Sequence, residues 1–347
     1  MSLLVDIEKK LGDFSLKVDL EADKGITGIL GASGCGKSLT LKCIAGIEKP
    51  DKGRIVLDGQ VLFDSELHID LPPQKRNVGY LFQSYALFPH MTVRQNILCG
   101  MGKDKSKTSK KEALARVVRL LSLEGTEQLY PGQLSGGQAQ RTALARILVS
   151  GPKILMLDEP FSALDTHLRE RLQIEMKSLL SDLDETVLMV THSRDEAYHM
   201  CSRLAVMDAG RLQDCRETKN LFGDPVSICA ARLTGCKNIA PAVKKGDYLV
   251  EIPDWGICLT TASPVKDGLK AVGIRAHYFN AKTDHNSFPV LFTADMEEPF
   301  EWVLEFRYPD QAPDTPSLWW RIPKDRVPGQ RPKTLGIAPA NVLLLYE

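Results

Sequence analysis

Leu134-Ser135-Gly136-Gly137-Gln138 stands shortly before Ile154-Leu155-Met156-Leu157-Asp158-Glu159, and a third segment, Gly31-Ala32-Ser33-Gly34-Cys35-Gly36-Lys37-Ser38-Leu39, lies well upstream of both. None of the three means much alone. The upstream segment follows the apolar run Ile26-Thr27-Gly28-Ile29-Leu30 and precedes Ser38 to Ile44, whose apolar residues have helical spacing. Strand, glycine loop, helix is the setting in which backbone N–H groups converge on phosphate and a helix N-terminus adds its positive end. Lys37 is then placed to reach the β- and γ-phosphates of a nucleotide and Ser38 to ligate Mg2+. Asp158 ends an apolar strand, so its carboxylate emerges at the sheet edge where a metal-bound water can be held. Glu159 is next; on an extended chain it points another way and can polarise an attacking water. Leu134 to Gln138 precedes the helical stretch Ala139 to Leu148 and forms a second anion site at a helix N-terminus.

Working outward, 347 residues fit two domains better than one. The 44 basic and 44 acidic residues balance, so no global field recruits nucleic acid or an anionic membrane surface. The longest apolar runs, such as Val187 to Val190, fall far short of the roughly 18 residues that span a bilayer. Asp6 and Glu8 argue against a signal peptide at the N-terminus. The eight cysteines lack a Cys-x-x-Cys pair, which in a cytosolic chain points to free thiols rather than a zinc site or disulfide frame.

Residues 1 to about 30 alternate apolar and polar residues, as in Phe14 to Leu20, and read as half-buried strands, while Ile154 to Leu157, Val187 to Val190 and Leu204 to Met207 read as buried ones between helical stretches. The expected core is a largely parallel sheet covered by helices. Lys103 to Lys111 reads as a solvated basic loop ahead of a helix from Ala113 to Leu121, and Leu221 to Leu233 as a last helix. From about residue 235 the helical period disappears. Short strands such as Tyr248 to Ile252, Ala271 to Arg275 and Trp302 to Tyr308 alternate with turns there, and a small β-barrel is the economical reading.

The three opening segments in this order, over the first two thirds of the chain, resemble the ABC-type ATPases. That resemblance implies an α/β fold: a P-loop ABC ATPase domain over residues 1–234, with a RecA-like core and a helical subdomain, then a small β-barrel accessory domain over 235–347. It implies ATP and Mg2+ as cofactors and a homodimer in which Ser135, Gly136, Gly137 and Gln138 of one subunit cap the nucleotide held by the other. Ser38, Asp158 and Gln83 are then the metal-site residues, and Glu159, His192 and Gln83 the catalytic ones. Asp165, in Ser162-Ala-Leu-Asp165, bridges the two active sites, and His192, after Val187 to Thr191, touches the γ-phosphate. Many relatives stack a Tyr or Trp on adenine; the matching region here, Lys10 to Phe14, offers only Leu11 or Phe14.

The absence of a long coiled coil and the single set of motifs separate the chain from the DNA-repair and translation members. The segment Gln83 to Ile97, including Leu87-Phe-Pro-His-Met-Thr-Val93, resembles the importer version of the membrane-facing loop. This implies two integral-membrane permease subunits docking near Gln83 to Ile97, a periplasmic or lipid-anchored solute-binding protein, no nucleic-acid partner, and a place on the cytoplasmic face of the cell membrane. Asn77 to Gln83 and Leu87 to His90 are most similar to the molybdate-type importer ATPases, with sulfate, thiosulfate, ferric-ion, polyamine and sugar importers as alternatives. Gly235-Cys-Lys-Asn-Ile239 and Gly273-Ile-Arg-Ala-His277 resemble accessory-barrel (TOBE/MOP-like) segments. That barrel is either a dimer-stabilising appendage or an oxyanion sensor, with Lys237, Asn238 and Arg275 as donors. Cys35 is either a space filler or a thiolate favoured by the helix N-terminus.

Overall fold

Consecutive apolar residues without alternation fit a strand only when both of its faces are covered. In Ile154–Asp158, Ile154 and Met156 join one hydrophobic cluster and Leu155 and Leu157 another. Thr186–Thr191 divides the same way, Leu188 and Val190 against Val187 and Met189. The protein is described from a computed structural model covering residues 2–101, 107–162, 166–182 and 185–347, and it separates into two compact units, Met1–Lys219 and Asn220–Glu347.

In the first unit the strands are β1 (Leu3–Leu11), β2 (Phe14–Ala22), β3 (Gly25–Leu30), β4 (Lys52–Leu57), β5 (Gln60–Asp64), β6 (Ile69–Asp70), β7 (Val78–Leu81), β8 (Ile154–Asp158), β9 (Thr186–Thr191), β10 (Arg203–Asp208) and β11 (Arg211–Glu217). They lie side by side in the order 6-5-4-1-2-11-10-3-9-8-7. The run 10-3-9-8-7 is parallel throughout. The run 6-5-4-1-2 is antiparallel throughout, so the sheet is mixed rather than largely parallel. The alternation in β1 and β2 marks this wing: Leu3, Val5 and Ile7, then Leu16, Val18 and Leu20, are buried while the residues between them are mostly exposed, as on an antiparallel sheet with one wet face.

The helices are α1 (Lys37–Ala45), α2 (Val93–Cys99), α3 (Lys107–Leu120), α4 (Gly136–Leu148), α5 (Thr166–Asp182) and α6 (Arg194–Met200). Leu41, Cys43 and Ile44 of α1 pack into one cluster with β1, β2 and β4; apolar residues of α2 to α5 build the other. The helix α3 begins before Ala113, and the first part of the expected basic loop, residues 103–106, lies outside the described residues, as does Asp165.

A buried arginine closes the nucleotide-loop helix. Gly46, at φ +76°, ends α1 in the left-handed region. Arg76, fully buried, donates from Nη1 to the carbonyls of Cys43 and Ile44 (2.9 Å each), from Nε to Leu71 O (2.7 Å) and from Nη2 to Asp70 Oδ1 (2.8 Å). The helix end is thereby satisfied inside the fold, where unpaired carbonyls would be costly.

Where a single helix from Leu221 to Leu233 is expected there are two, Thr218–Gly223 and Ile228–Leu233, the latter capped by Ser227 Oγ. The separation has a simple cause: Pro225 cannot donate an in-helix hydrogen bond. Eleven short strands follow, forming four antiparallel sheets around one core. That barrel-like core is aromatic: Phe279 and Phe306 meet edge to face at 5.0 Å, and Trp255, Tyr308 and Trp320 are buried beside them.

Candidate functional site: the phosphate loop and the acids at the sheet edge

The loop between β3 and α1 needs its glycines for space and for conformation. A Cβ on Gly31 would stand 2.4 Å from Met207 O, and on Gly36 2.7 Å from Leu16 Cδ1; Gly34 and Gly36 also have φ of +80° and +110°. Ala32, Ser33 and Gly34 are exposed at the rim, and Leu39 packs against the cluster around α1. Lys37 is buried, its Nζ donating to the carbonyls of Gly31 and Ala32 at 2.9 Å each. Among the described residues its ammonium has only these neutral partners, so a phosphate would supply the counter-charge that burial calls for.

Ser38 Oγ donates to Asp158 Oδ1 at 2.7 Å, which brings the first turn of α1 and the end of β8 into contact. Tyr80, on the neighbouring strand β7, donates its hydroxyl to Asp158 Oδ2, also at 2.7 Å. Burial, reinforced by the Asp158 carboxylate, pushes the Tyr80 phenol well above its ordinary range, so it remains a donor. The residues fit Mg2+: a hydroxyl and a carboxylate oxygen suit a cation that takes most of its remaining ligands from phosphate and water.

Glu159 is not directed by strand alternation, as expected, but by a left-handed residue at φ +44°. Its N–H still donates to Val190 O (3.1 Å), extending the parallel ladder, and the chain then turns so that Ser162 N–H reaches Glu159 O (3.2 Å). A non-glycine residue in this region stores on the order of 1 kcal/mol and points to a functional constraint. The turn brings Glu159 Oε2 to 3.2 Å from His192 Nδ1, at the end of β9. Gln83 is exposed; its Nε2 donates to Ser162 Oγ (3.1 Å), which donates to Glu159 O (3.0 Å). The serine joining these two expected residues was not singled out in the sequence, although it opens the Ser162-Ala-Leu-Asp165 segment.

Ser135 caps α4 in a reciprocal box: its Oγ accepts from Gln138 N–H (3.3 Å) and Gln138 Oε1 accepts from Ser135 N–H (2.9 Å). Ser135 and Gly136 are exposed, and Gly137 is buried where a Cβ would meet Leu172 at 2.9 Å. Among the described residues no hydrogen bond or ion pair joins Ser135–Gln138 to the phosphate loop. Farther along α4, Arg146 donates to the carbonyls of Ala86 (2.7 Å) and Tyr85 (3.1 Å), both left-handed, and its guanidinium lies 5.4 Å over the Phe88 ring.

Three expectations are corrected or sharpened. The Cys35 thiol is buried behind the loop, where a Cβ on Gly31 would meet its Sγ at 2.6 Å, and burial raises its pKa despite Lys37, which favours the space-filling reading over the thiolate. Phe14 sits beside the loop, its Cζ 3.2 Å from where a Gly36 Cβ would be, but half-buried against the core, while Leu11 is exposed. In the second unit Asn238 and Arg275 are committed internally and are not free anion donors. Asn238 bonds Ile274 O and the Trp319 backbone, and Arg275, 8% exposed, bonds Thr234 and the Phe222 carbonyl. Lys237 is exposed, its Nζ 5.7 Å over the Trp319 ring.

A family model described as ABC transporter matches residues 14–162. The sulfate/thiosulfate import ATP-binding protein of Synechocystis sp. is 40% identical over 246 residues, covering 70% of this chain and 68% of that protein. The spermidine/putrescine import ATP-binding protein of Nitrosomonas europaea is 38% identical over 276 residues, 77% and 74% of the two chains. The molybdenum import ATP-binding protein of Paramagnetospirillum magneticum is 39% identical over 221 residues, 64% and 61%. Among solved structures, a dimeric ATP-binding cassette in a post-hydrolysis state bound to ADP and Pi aligns with a TM-score of 0.52 at 28% identity, covering 63% of this chain and 99% of that one. With the glycine loop, the acid-ended strand and the capped Ser135 helix all in place, the chain belongs to the ABC transporter ATP-binding proteins.

Proposed function

We propose that this chain is the ATP-hydrolysing subunit of an importer, acting as a homodimer beneath two membrane permease subunits. The observation that carries this reading is the Ser38–Asp158 hydrogen bond, which joins the phosphate loop to the carboxylate beside Glu159 and His192. The chain binds ATP with Mg2+. The cation, when bound, neutralises phosphate charge, and Ser38, Asp158 and Gln83 are the residues that would hold it. Lys37 exchanges its two loop carbonyls for phosphate oxygens. Glu159 takes the proton of the attacking water, and His192 orients its carboxylate from 3.2 Å. Ser135, Gly136, Gly137 and Gln138 close the partner subunit's site, and Asp165 lies at the junction. The ATPase work is assigned to residues 1–234 and the accessory role to 235–347. Phe82, Phe88 and Met91 are exposed apolar side chains around the Gln83 to Ile97 segment, and support it as the permease-facing surface.

The imported solute is proposed to be an oxyanion, with molybdate or tungstate first and sulfate next, on the resemblance of Asn77–Gln83 and Leu87–His90 to the molybdate-type importers. The polyamine relatives, as similar as the oxyanion ones, favour spermidine as a second reading. Uptake of labelled molybdate, sulfate and spermidine by cells lacking the chain discriminates among these. For the ATPase itself, Glu159→Gln is expected to keep ATP binding and lower turnover by roughly 10²- to 10⁴-fold. Mixing Lys37→Ala chains with Ser135→Arg chains is expected to restore one intact composite site. Wild-type turnover by Glu159→Gln, or full activity in a strict monomer, overturns the assignment.

A further inference from the structure

Asp158 is held from two sides by hydroxyls of different kinds. Ser38 Oγ sits on one oxygen and Tyr80 Oη on the other, both at 2.7 Å, and Asp158 is 7% exposed. Tyr80 reaches it because β7 and β8 run parallel with Tyr80 opposite Met156, so a long side chain leaning along the strand spans the two remaining residues. The ring is steadied by Phe82, centroids 4.4 Å apart, and by the cluster around α1. Just past the end of β7 the chain reaches Gln83, whose hydrogen bond to Ser162 leads to Glu159.

We propose that Tyr80 is a positioning residue for the metal-holding carboxylate: its hydroxyl fixes the rotation of Asp158, so that the carboxylate stays oriented toward the cation that Ser38 would also ligate. This rests on the reading of Ser38 and Asp158 as the Mg2+ residues. A serine hydroxyl ligates a cation through its oxygen lone pairs and can keep donating its proton to Asp158 Oδ1, but that bond fixes only one carboxylate oxygen; Tyr80 holds the other, and the two together define the plane of the carboxylate. Outer partners of metal-holding side chains typically change metal affinity by about 10- to 100-fold. Being neutral and buried, the phenol does this without adding a charge that would repel the cation.

The test is binding rather than turnover, with hydrolysis suppressed by Glu159→Gln in every sample. Calorimetric titration of ATP is followed at increasing Mg2+ and in EDTA, for Tyr80→Phe and for the unaltered tyrosine. The expected result is an unchanged metal-free ATP affinity and a half-saturating Mg2+ concentration raised about 10-fold or more. Mn2+, intrinsically the tighter ligand of an oxygen site, is expected to recover part of the loss. Superimposable Mg2+ titrations overturn the proposal. An equal loss in EDTA also overturns it, since that would make the tyrosine a packing residue for the whole loop. If the unaltered tyrosine protein itself shows no Mg2+ dependence, it is the underlying metal-site reading that fails.

Discussion

Replacing Arg76 is expected to loosen the nucleotide-loop helix from its far end. Arg76→Ala removes four hydrogen bonds at 2.7 to 2.9 Å and leaves the Ile44 carbonyl short of a donor in the interior, while Asp70, exposed at the surface, keeps Lys49 at 3.7 Å. Each such bond to a charged group contributes about 1.5–3 kcal/mol, but the four share one side chain and water can enter the space it leaves. Leaving buried carbonyls without a donor costs about 1–3 kcal/mol each, so a loss of roughly 3–4 kcal/mol is expected, a large part of the 5–15 kcal/mol that holds a typical domain together. For a unit of this size that corresponds to a melting temperature lower by about 10 °C. Arg76→Met separates the causes, because it keeps most of the apolar volume while losing every donor. The assay is thermal melting by far-ultraviolet circular dichroism, with hydrogen exchange at the amides of Gly46, Ile47 and Glu48, which bond back to Cys43 and Lys42 at the helix end. Arg76→Met is expected to fall nearly as far as Arg76→Ala, with faster exchange at those amides. A methionine variant as stable as the parent would refute the hydrogen-bond reasoning and assign the effect to volume.

At neutral pH, alkylation is expected at the exposed Cys99 and Cys258 well before Cys35, whose thiol burial raises, and before Cys43, pushed up to about 12; mass mapping of a short iodoacetamide exposure checks this, and preferential Cys35 labelling would restore the reactive reading. Glu196 is buried, and desolvation, its main influence, raises its carboxyl pKa in the fold. Such a group's contribution is fully present below the ordinary glutamate pKa and is lost as pH rises through the raised folded value. Glu196→Gln is therefore expected to melt higher than the parent at pH 7–8 and level with it near pH 4; melting curves that differ by the same amount at both would refute this.

The phosphate loop, Asp158 and Glu159 are legible in the sequence because each depends on local order: glycines before a lysine, acids after an apolar run. Their surroundings are not. Arg76 reads as part of a polar surface turn, since nothing in Pro73-Gln74-Lys75-Arg76-Asn77 signals that one cation folds inward onto a helix end distant in the chain. Tyr80 looks like one more apolar strand residue until β7 and β8 are known to be neighbours. Long-range pairing also decided the sheet: alternation identified β1 and β2 as strands but not that they begin an antiparallel wing. Asn238 and Arg275 show the opposite error. Polar residues in a strand-rich segment resemble ligand donors until their acceptors, the carbonyls of Ile274, Trp319 and Thr234, are seen.

The aromatic core of the second unit has an optical consequence. All four tryptophans, Trp255, Trp302, Trp319 and Trp320, fall within Asn220–Glu347, and Met1–Lys219 contains none. Selectively excited indole emission therefore reports unfolding of the accessory unit while the ATPase unit stays dark. A single tryptophan placed at Phe14, beside the phosphate loop, would give the dark half its own lamp, and nucleotide arrival could then be followed without labels or coupled enzymes.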